Sequence, residues 1–162
     1  MFGLGKQKLD VLPPFAGEVV TVDQVPDPVF AQRMLGDGFA VRPAPGVTTV
    51  EVCAPIAGKL LKVFNTLHAF ALEGEKGTEM LVHIGLETVE LGGKGFEALA
   101  ATGDVVEAGQ PIIRVDLAVL REQGCELITP VVFTKAGQVS SVKVATGNVL
   151  DVDQKVCTAT LA

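Results

Sequence analysis

Apolar and polar positions alternate along this chain in short runs that glycine and proline interrupt. GEVVTV, GFAVRP, TTVEVCAP, GKLLKVF and MLVHIGL are the clearest of these runs. Each is rich in β-branched residues and bounded by turn formers, as half-buried strands are. Their close spacing predicts an all-β chain, an antiparallel sandwich or barrel with only a few short helical turns. Asp27–Leu35 is the first helical candidate, with Asp27 as N-cap and Pro28 at the first position. Phe96–Ala101 is a second, and DLAVLREQ (Asp116–Gln123) a third, capped by Asp116 and stopped by Gly124. Glycines 36, 38, 92, 93 and 95 are expected in tight turns that need positive φ.

Weak internal repetition adds a second layer to this pattern. PFAGEVV (Pro14–Val20) returns 41 residues later as PIAGKLL (Pro55–Leu61). ATGDVVEAGQPI (Ala101–Ile112) returns after 44 residues as ATGNVLDVDQKV (Ala145–Val156). Two echoes at similar offsets point to a duplicated β unit folded about a pseudo-twofold axis. Residues 1–10, MFGLGKQKLD, are expected to form a flexible arm, because two glycines make them a poor amphipathic helix. That leaves 11–162 as a single domain, of a size that buries one sizeable core.

Composition narrows the function. Hydrophobic residues make up 48% of the 162 and charged residues 20%, which is globular. Tryptophan and tyrosine are absent and the net charge is −6 with no basic run, so a nucleic-acid partner is not expected. The acidic balance points to a basic protein partner, with charge steering the encounter. Cys53, Cys125 and Cys157 form no C-x-x-C pair and read as buried, reduced residues of a cytoplasmic protein. Neither a signal peptide nor 18 consecutive apolar residues is visible, so no stable membrane insertion is expected.

The chemistry concentrates in the two histidines. In EMLVHIGL, alternation places Leu81, His83 and Gly85 on one face and Met80, Val82, Ile84 and Leu86 on the other. In VFNTLHAFAL it groups Phe64, Thr66, His68 and Phe70. An imidazole on an apolar strand loses hydration unless something pairs with it. Taken singly, each is a core histidine satisfied by a backbone carbonyl. Taken together, two imidazoles and a hydroxyl read as a shallow apolar site for a transferred anionic group.

VPDPVFAQRMLGDGFAV, NTLHAFAL, LVHIGLETVELGGKGFEAL and TPVVF, in this order, resemble the glucose-type enzyme IIA of the bacterial phosphoenolpyruvate-dependent sugar phosphotransferase system. The resemblance runs from about Pro13 to about Val156. It implies a phosphocarrier that takes a phosphoryl group from the histidine-phosphorylated carrier HPr onto His83. The group then passes to a cysteine of a sugar-specific IIB domain, which with its IIC permease serves glucose or N-acetylglucosamine. By the same resemblance His83 reacts at Nε2 with the Gly85 carbonyl holding Nδ1. His68 lies beside the phosphoryl group and Thr66 orients it. Val29, Phe30, Leu35, Phe64, Leu81 and Val89 form an apolar ring, and Asp27 and Glu87 flank it, suited to arginines on the donor. Glu87 stands where aspartate is usual, one methylene longer. No cofactor is implied, since the phosphoryl group arrives on a protein. Regulatory protein targets, docked according to phosphorylation state, are further expected partners.

Two alternatives stand beside this reading. A zinc-dependent hydrolase on a related duplicated β fold needs a third protein ligand, and the sequence has neither H-x-H nor H-E-x-x-H. No intrinsic metal is therefore expected, although His68 and His83 would suit zinc shared with a partner's carboxylate. A non-catalytic binding module is the other. Its regulatory form uses the apolar ring only to dock partners, and a biotinyl or lipoyl carrier needs a lysine context that Lys59 lacks.

Overall fold

A computed structural model describes residues 7–162. Among these residues fourteen strands follow one another in chain order: β1 (Lys8–Val11), β2 (Gly17–Thr21), β3 (Gly38–Pro43), β4 (Thr49–Cys53), β5 (Gly58–Val63), β6 (Ala69–Glu73) and β7 (Glu79–His83), then β8 (Phe96–Ala98), β9 (Val105–Val106), β10 (Pro111–Asp116), β11 (Thr129–Phe133), β12 (Val139–Val144), β13 (Gly147–Val149) and β14 (Cys157–Leu161). All their pairings are antiparallel. Among the described residues two α-helices accompany them, α1 (Pro28–Ala31) and α2 (Leu117–Glu122). No helix among the described residues is long and apolar enough to cross a membrane.

The largest sheet has the order β13-β2-β3-β11-β7-β6-β5-β9, and two three-stranded sheets, β1-β14-β12 and β4-β10-β8, complete the architecture. The large sheet reads as a palindrome about the β11–β7 pair. Both sequence echoes fall into equivalent places. Gly17 of β2 pairs with Val149 at one end, and Gly58 of β5 pairs with Val106 at the other. Leu12 N–H donates to the Pro55 carbonyl at 2.9 Å, and Cys53 N–H donates in the reverse direction to the Pro14 carbonyl at 2.7 Å. The repeated Ala-Gly also has a physical cause. A Cβ on Gly17 would lie 2.1 Å from the Arg42 carbonyl oxygen, and one on Gly58 the same distance from that of Glu73. In both halves the neighbouring backbone approaches too closely for any side chain.

Side-chain alternation builds two apolar clusters, one on each face of the large sheet. The larger contains Phe39, Val41, Phe70, Met80, Val82 and Val131, and also Ile112, Ile113 and Val115 of the facing sheet. The smaller uses the alternate residues, Ala40 and Val132, with Val22, Val25, Phe30, Leu86 and Ile128, and Leu81 packs against it. His83 follows Leu81 at the next position of that face. Apolar residues thus line both sides of the strand that carries the histidine.

Several expectations need correction. Phe96–Ala98 is a strand, not a helix, because its backbone completes the edge of β10 and that pairing outweighs the helix preference of Glu and Ala. Of the expected arm, residues 1–6 lie outside the described residues, whereas Lys8, Leu9 and Asp10 pair with Thr160, Ala159 and Thr158 of β14 and so belong to a sheet. Gly36, Gly92, Gly93 and Gly95 adopt positive φ as expected. Gly38 does not, and serves close approach instead, since a Cβ there would meet the Val131 carbonyl oxygen at 1.9 Å. The other two helical expectations hold at their starts, where Asp27 accepts from Val29 N–H at 2.9 Å and Asp116 from Ala118 N–H at 3.0 Å. The first is shorter than the expected Asp27–Leu35: it ends at Ala31, and Arg33 turns to φ 57. Cys53 and Cys157 are buried, but Cys125 is only half-buried. Gly17→Ala and Gly58→Ala should each cost about 1–3 kcal/mol by overpacking, read as a fall in denaturation midpoint. Unchanged midpoints would mean that these backbones separate freely.

Candidate functional site

His83 is the last residue of β7, where Ala69 of β6 is its partner in register. Directly after it the chain leaves the ladder. Gly85 takes φ 68, a left-handed conformation that glycine adopts without strain, and its carbonyl turns back towards the histidine. His83 Nδ1 lies 2.7 Å from that oxygen. A carbonyl only accepts, so Nδ1 carries the proton, and in the neutral ring Nε2 keeps its lone pair. A side chain on Gly85 would press on the Glu126 carbonyl oxygen at 2.7 Å and on the Thr88 methyl at 2.9 Å.

His68 arrives by a different route from the one alternation predicts. Residues 64–68 are the turn between β5 and β6 rather than a strand. Phe64 N–H bonds the Ala69 carbonyl and Leu67 N–H the Phe64 carbonyl, with Leu67 itself at φ 59. The turn breaks the period of two. Phe70 therefore goes into the main core opposite Val82, away from the grouping expected for it. His68 is buried and ends with its ring centroid 5.1 Å from that of His83 at 76°. Thr66 Oγ1 sits 2.6 Å from His68 Nδ1. The His68 carbonyl accepts from Ile84 N–H at 2.7 Å, tying the turn to the chain just beyond the other histidine.

Aromatic edges close the two rings in. Phe30 stands 5.3 Å from His83, and Phe64 stands 5.3 Å from His68 at a steep angle. Burial disfavours a positive imidazolium and pulls both histidines below their ordinary value near 6.5. At His83 the Gly85 hydrogen bond and the Asp27 charge act against that fall, and at His68 the neighbouring His83 adds to it. Both rings are neutral at pH 7, which leaves nucleophilic nitrogen available.

The remaining ring residues divide by exposure. Phe30 is buried, and Phe64 and Leu81 are half-buried. Val29, Leu35 and Val89 are exposed at 38%, 39% and 49% of their surface, high for apolar side chains on a folded protein. Asp27 commits Oδ1 to capping α1 while its charge reaches His83. Glu87 is exposed at φ 61, a strained setting for a residue other than glycine, and begins the short 3₁₀ turn Thr88–Leu91. Among the described residues no group of three or more His, Cys, Asp and Glu side chains is placed to hold a metal ion, so the hydrolase alternative has no donor set there. Sequence reasoning missed Lys62, whose Nζ lies 4.5 Å over the Phe64 ring and puts a cation at the rim. It also passed over Thr88 and Thr129, buried hydroxyls beside the Gly85 turn; the second opens the TPVVF motif.

An antiparallel sandwich that sets two neutral imidazoles in an apolar socket has the construction of a phosphocarrier domain. The chain belongs to the family described as phosphoenolpyruvate-dependent sugar phosphotransferase system, EIIA 1, whose profile matches residues 9–139. It is 43% identical over 147 residues to a glucose-specific EIIA component of Staphylococcus epidermidis, across 89% of this chain and 86% of that one. The corresponding Staphylococcus aureus component is 42% identical over the same shares. Among solved structures, the glucose permease IIA of Mycoplasma capricolum superposes with a TM-score of 0.85 at 38% identity, over 94% of this chain and 96% of that one. The chain is thus a phosphocarrier of sugar uptake, and the non-catalytic alternatives are not favoured.

The lowered histidine pKa values set a pH dependence with a definite sign. As pH falls below about 6.5 the unfolded chain takes up protons that the folded chain resists, so stability drops. Above that value the contribution is fully present. NMR titration should give midpoints below 6.5 for both rings. The thermal midpoint should decline between about pH 6.5 and 5, less so in the His68→Gln/His83→Gln double variant. A His83 midpoint at or above the ordinary value would refute the burial argument.

Proposed function

We propose that His83 is the phosphorylated residue and reacts through Nε2. The Nδ1 bond to the Gly85 carbonyl is the observation that carries this reading, since it leaves one ring nitrogen free. In the first transfer the Nε2 lone pair bonds to phosphorus as the phosphorus–nitrogen bond of phospho-HPr breaks, and the HPr imidazole leaves with that electron pair. In the second, a thiolate of the sugar-specific IIB domain attacks phosphorus and the electron pair returns to Nε2. The Nδ1 proton stays on the ring, donated to Gly85, throughout. Thr66 donates to His68 Nδ1, so that His68 presents Nε2–H to a phosphoryl oxygen. The exposed apolar ring keeps water from the labile phosphohistidine and docks both partners in turn, while Asp27 and Glu87 meet cationic side chains on HPr. Transient encounters of this kind suit modest interfaces and charge steering. We place this work in the cytoplasm, on the single domain expected over 11–162. Glucose is taken as the sugar, following the names of the staphylococcal and mycoplasmal relatives.

Incubation with phosphoenolpyruvate, enzyme I and HPr should label His83 with acid-labile, base-stable phosphate, and His83→Ala should abolish the label while the chain stays folded. Label on serine or cysteine overturns the assignment. His68→Gln should still accept phosphate but deliver it to IIB roughly 10²–10³ more slowly, the usual cost of one lost preorganised donor. If that variant accepts nothing while His83→Gln is labelled, the two roles are reversed. Asp27→Asn and Glu87→Gln should slow transfer from HPr by a factor that shrinks as salt rises. A salt-independent loss would make these carboxylates structural.

A further inference from the structure

The Gly85 carbonyl that holds His83 belongs to a segment with little regular structure to fix it. β7 ends at His83, and its ladder with β11 has already stopped at the Val82–Val131 pair. Glycine at φ 68 has wide conformational freedom. Yet this carbonyl must stay within hydrogen-bond reach of Nδ1 if the ring is to keep one tautomer and one direction.

Two threonine hydroxyls act on the peptide unit just before it. The Ile84 carbonyl accepts from Thr88 Oγ1 at 2.6 Å. The Gly85 N–H, on the opposite side of the same planar unit, donates to Thr129 Oγ1 at 3.3 Å. Thr129 in turn donates to the Leu127 carbonyl at 3.1 Å, so its hydroxyl relays from one backbone to another. The following peptide is held too, with Leu86 N–H donating to the Glu126 carbonyl at 3.0 Å. Thr88 is wholly buried and Thr129 is 1% exposed. A hydroxyl in such a place is costly unless bonded, and valine would fill the same volume without that cost. Their bonds replace the ladder contacts that the departing strand gives up.

We infer that Thr88 and Thr129 are positioning residues, which clamp the Ile84–Gly85 peptide from both sides and thereby aim the Gly85 carbonyl at His83. The inference rests on the reading of His83 as phosphoryl acceptor, and extends it to how the ring is kept in its reactive form. Once either clamp is lost, the peptide turns, the carbonyl drifts from Nδ1, and the proton redistributes between the two ring nitrogens. A misplacement of about 1 Å at a reacting group costs up to roughly 10²-fold in rate.

The test uses the whole chain with Thr88→Val and Thr129→Val, each beside its serine variant. Nitrogen-15 NMR of neutral His83 reads the tautomer, and transfer from phospho-HPr reads the rate. Both valine variants should lose dominance of the Nδ1–H form and slow transfer by about 10-fold to 100-fold, and serine should restore both. Valine variants that are less stable yet keep the tautomer and the rate would reduce the threonines to packing and overturn the inference. The unsubstituted chain is decisive even if a valine variant fails to fold. Its neutral His83 should be mainly Nδ1–H, with the Gly85 amide protected from exchange, and a mainly Nε2–H ring or an unprotected amide overturns the inference. These readings need no phosphate. A His83 that stays unlabelled therefore refutes the acceptor assignment separately.

Discussion

A histidine proposed to carry phosphate, as His83 is, must satisfy two demands that oppose each other. Its ring has to sit among apolar groups, away from water that would hydrolyse the phosphorus–nitrogen bond, yet an imidazole so placed needs a polar partner. The 2.7 Å bond from Nδ1 to the Gly85 carbonyl meets the second demand with one backbone group and leaves the apolar surroundings intact. It satisfies Nδ1 and leaves Nε2 with its lone pair in the neutral ring. The left-handed glycine presents this carbonyl, and the Glu126 carbonyl, which accepts from Leu86 N–H, leaves no room there for a Cβ.

The duplicated architecture supplies the place where that bond is built. β7 and β11 meet at the centre of the palindromic sheet, and the two equivalent connections, β2 to β3 and β5 to β6, lie on either side of that pair. The halves have filled those connections differently. Residues 22–37 form the long one, which brings α1 with Asp27 and Phe30, while 64–68 form the tight turn that brings Phe64, Thr66 and His68. One repeat thus contributes a charge and an aromatic wall, and the other contributes the second imidazole. Duplication gives a symmetric frame, whereas the chemistry comes from its broken symmetry.

Electrostatics and burial then act together. The chain carries net charge −6, yet the socket itself contains two rings that burial keeps neutral. Under the proposed assignment, a dianionic phosphoryl group would meet N–H dipoles whose effect the apolar surroundings strengthen. The net negative charge lies on the surrounding surface, and of its carboxylates Asp27 is the one whose charge reaches His83.

Elements with local signals were legible in the chain alone. Alternation in MLVHIGL set Met80, Val82 and Ile84 into the core with Leu81 and His83 on the other face, and the caps at Asp27 and Asp116 marked both helices. The Ala-Gly echoes pointed to the symmetric sheet, because close backbone approach at Gly17 and Gly58 leaves the same mark in both copies. Motif resemblance singled out the pair of histidines. Other features arise from contacts between distant segments and left no such mark. Phe96–Ala98 became a strand because β10 offered an edge. His68 reached His83 through a left-handed turn at Leu67, which period-two reasoning excludes. Thr129, an ordinary strand residue in the sequence, reaches the Gly85 N–H only after β11 is laid beside β7. Propensity and periodicity act over a few residues, so no local pattern encodes a hydrogen bond that spans 44 positions.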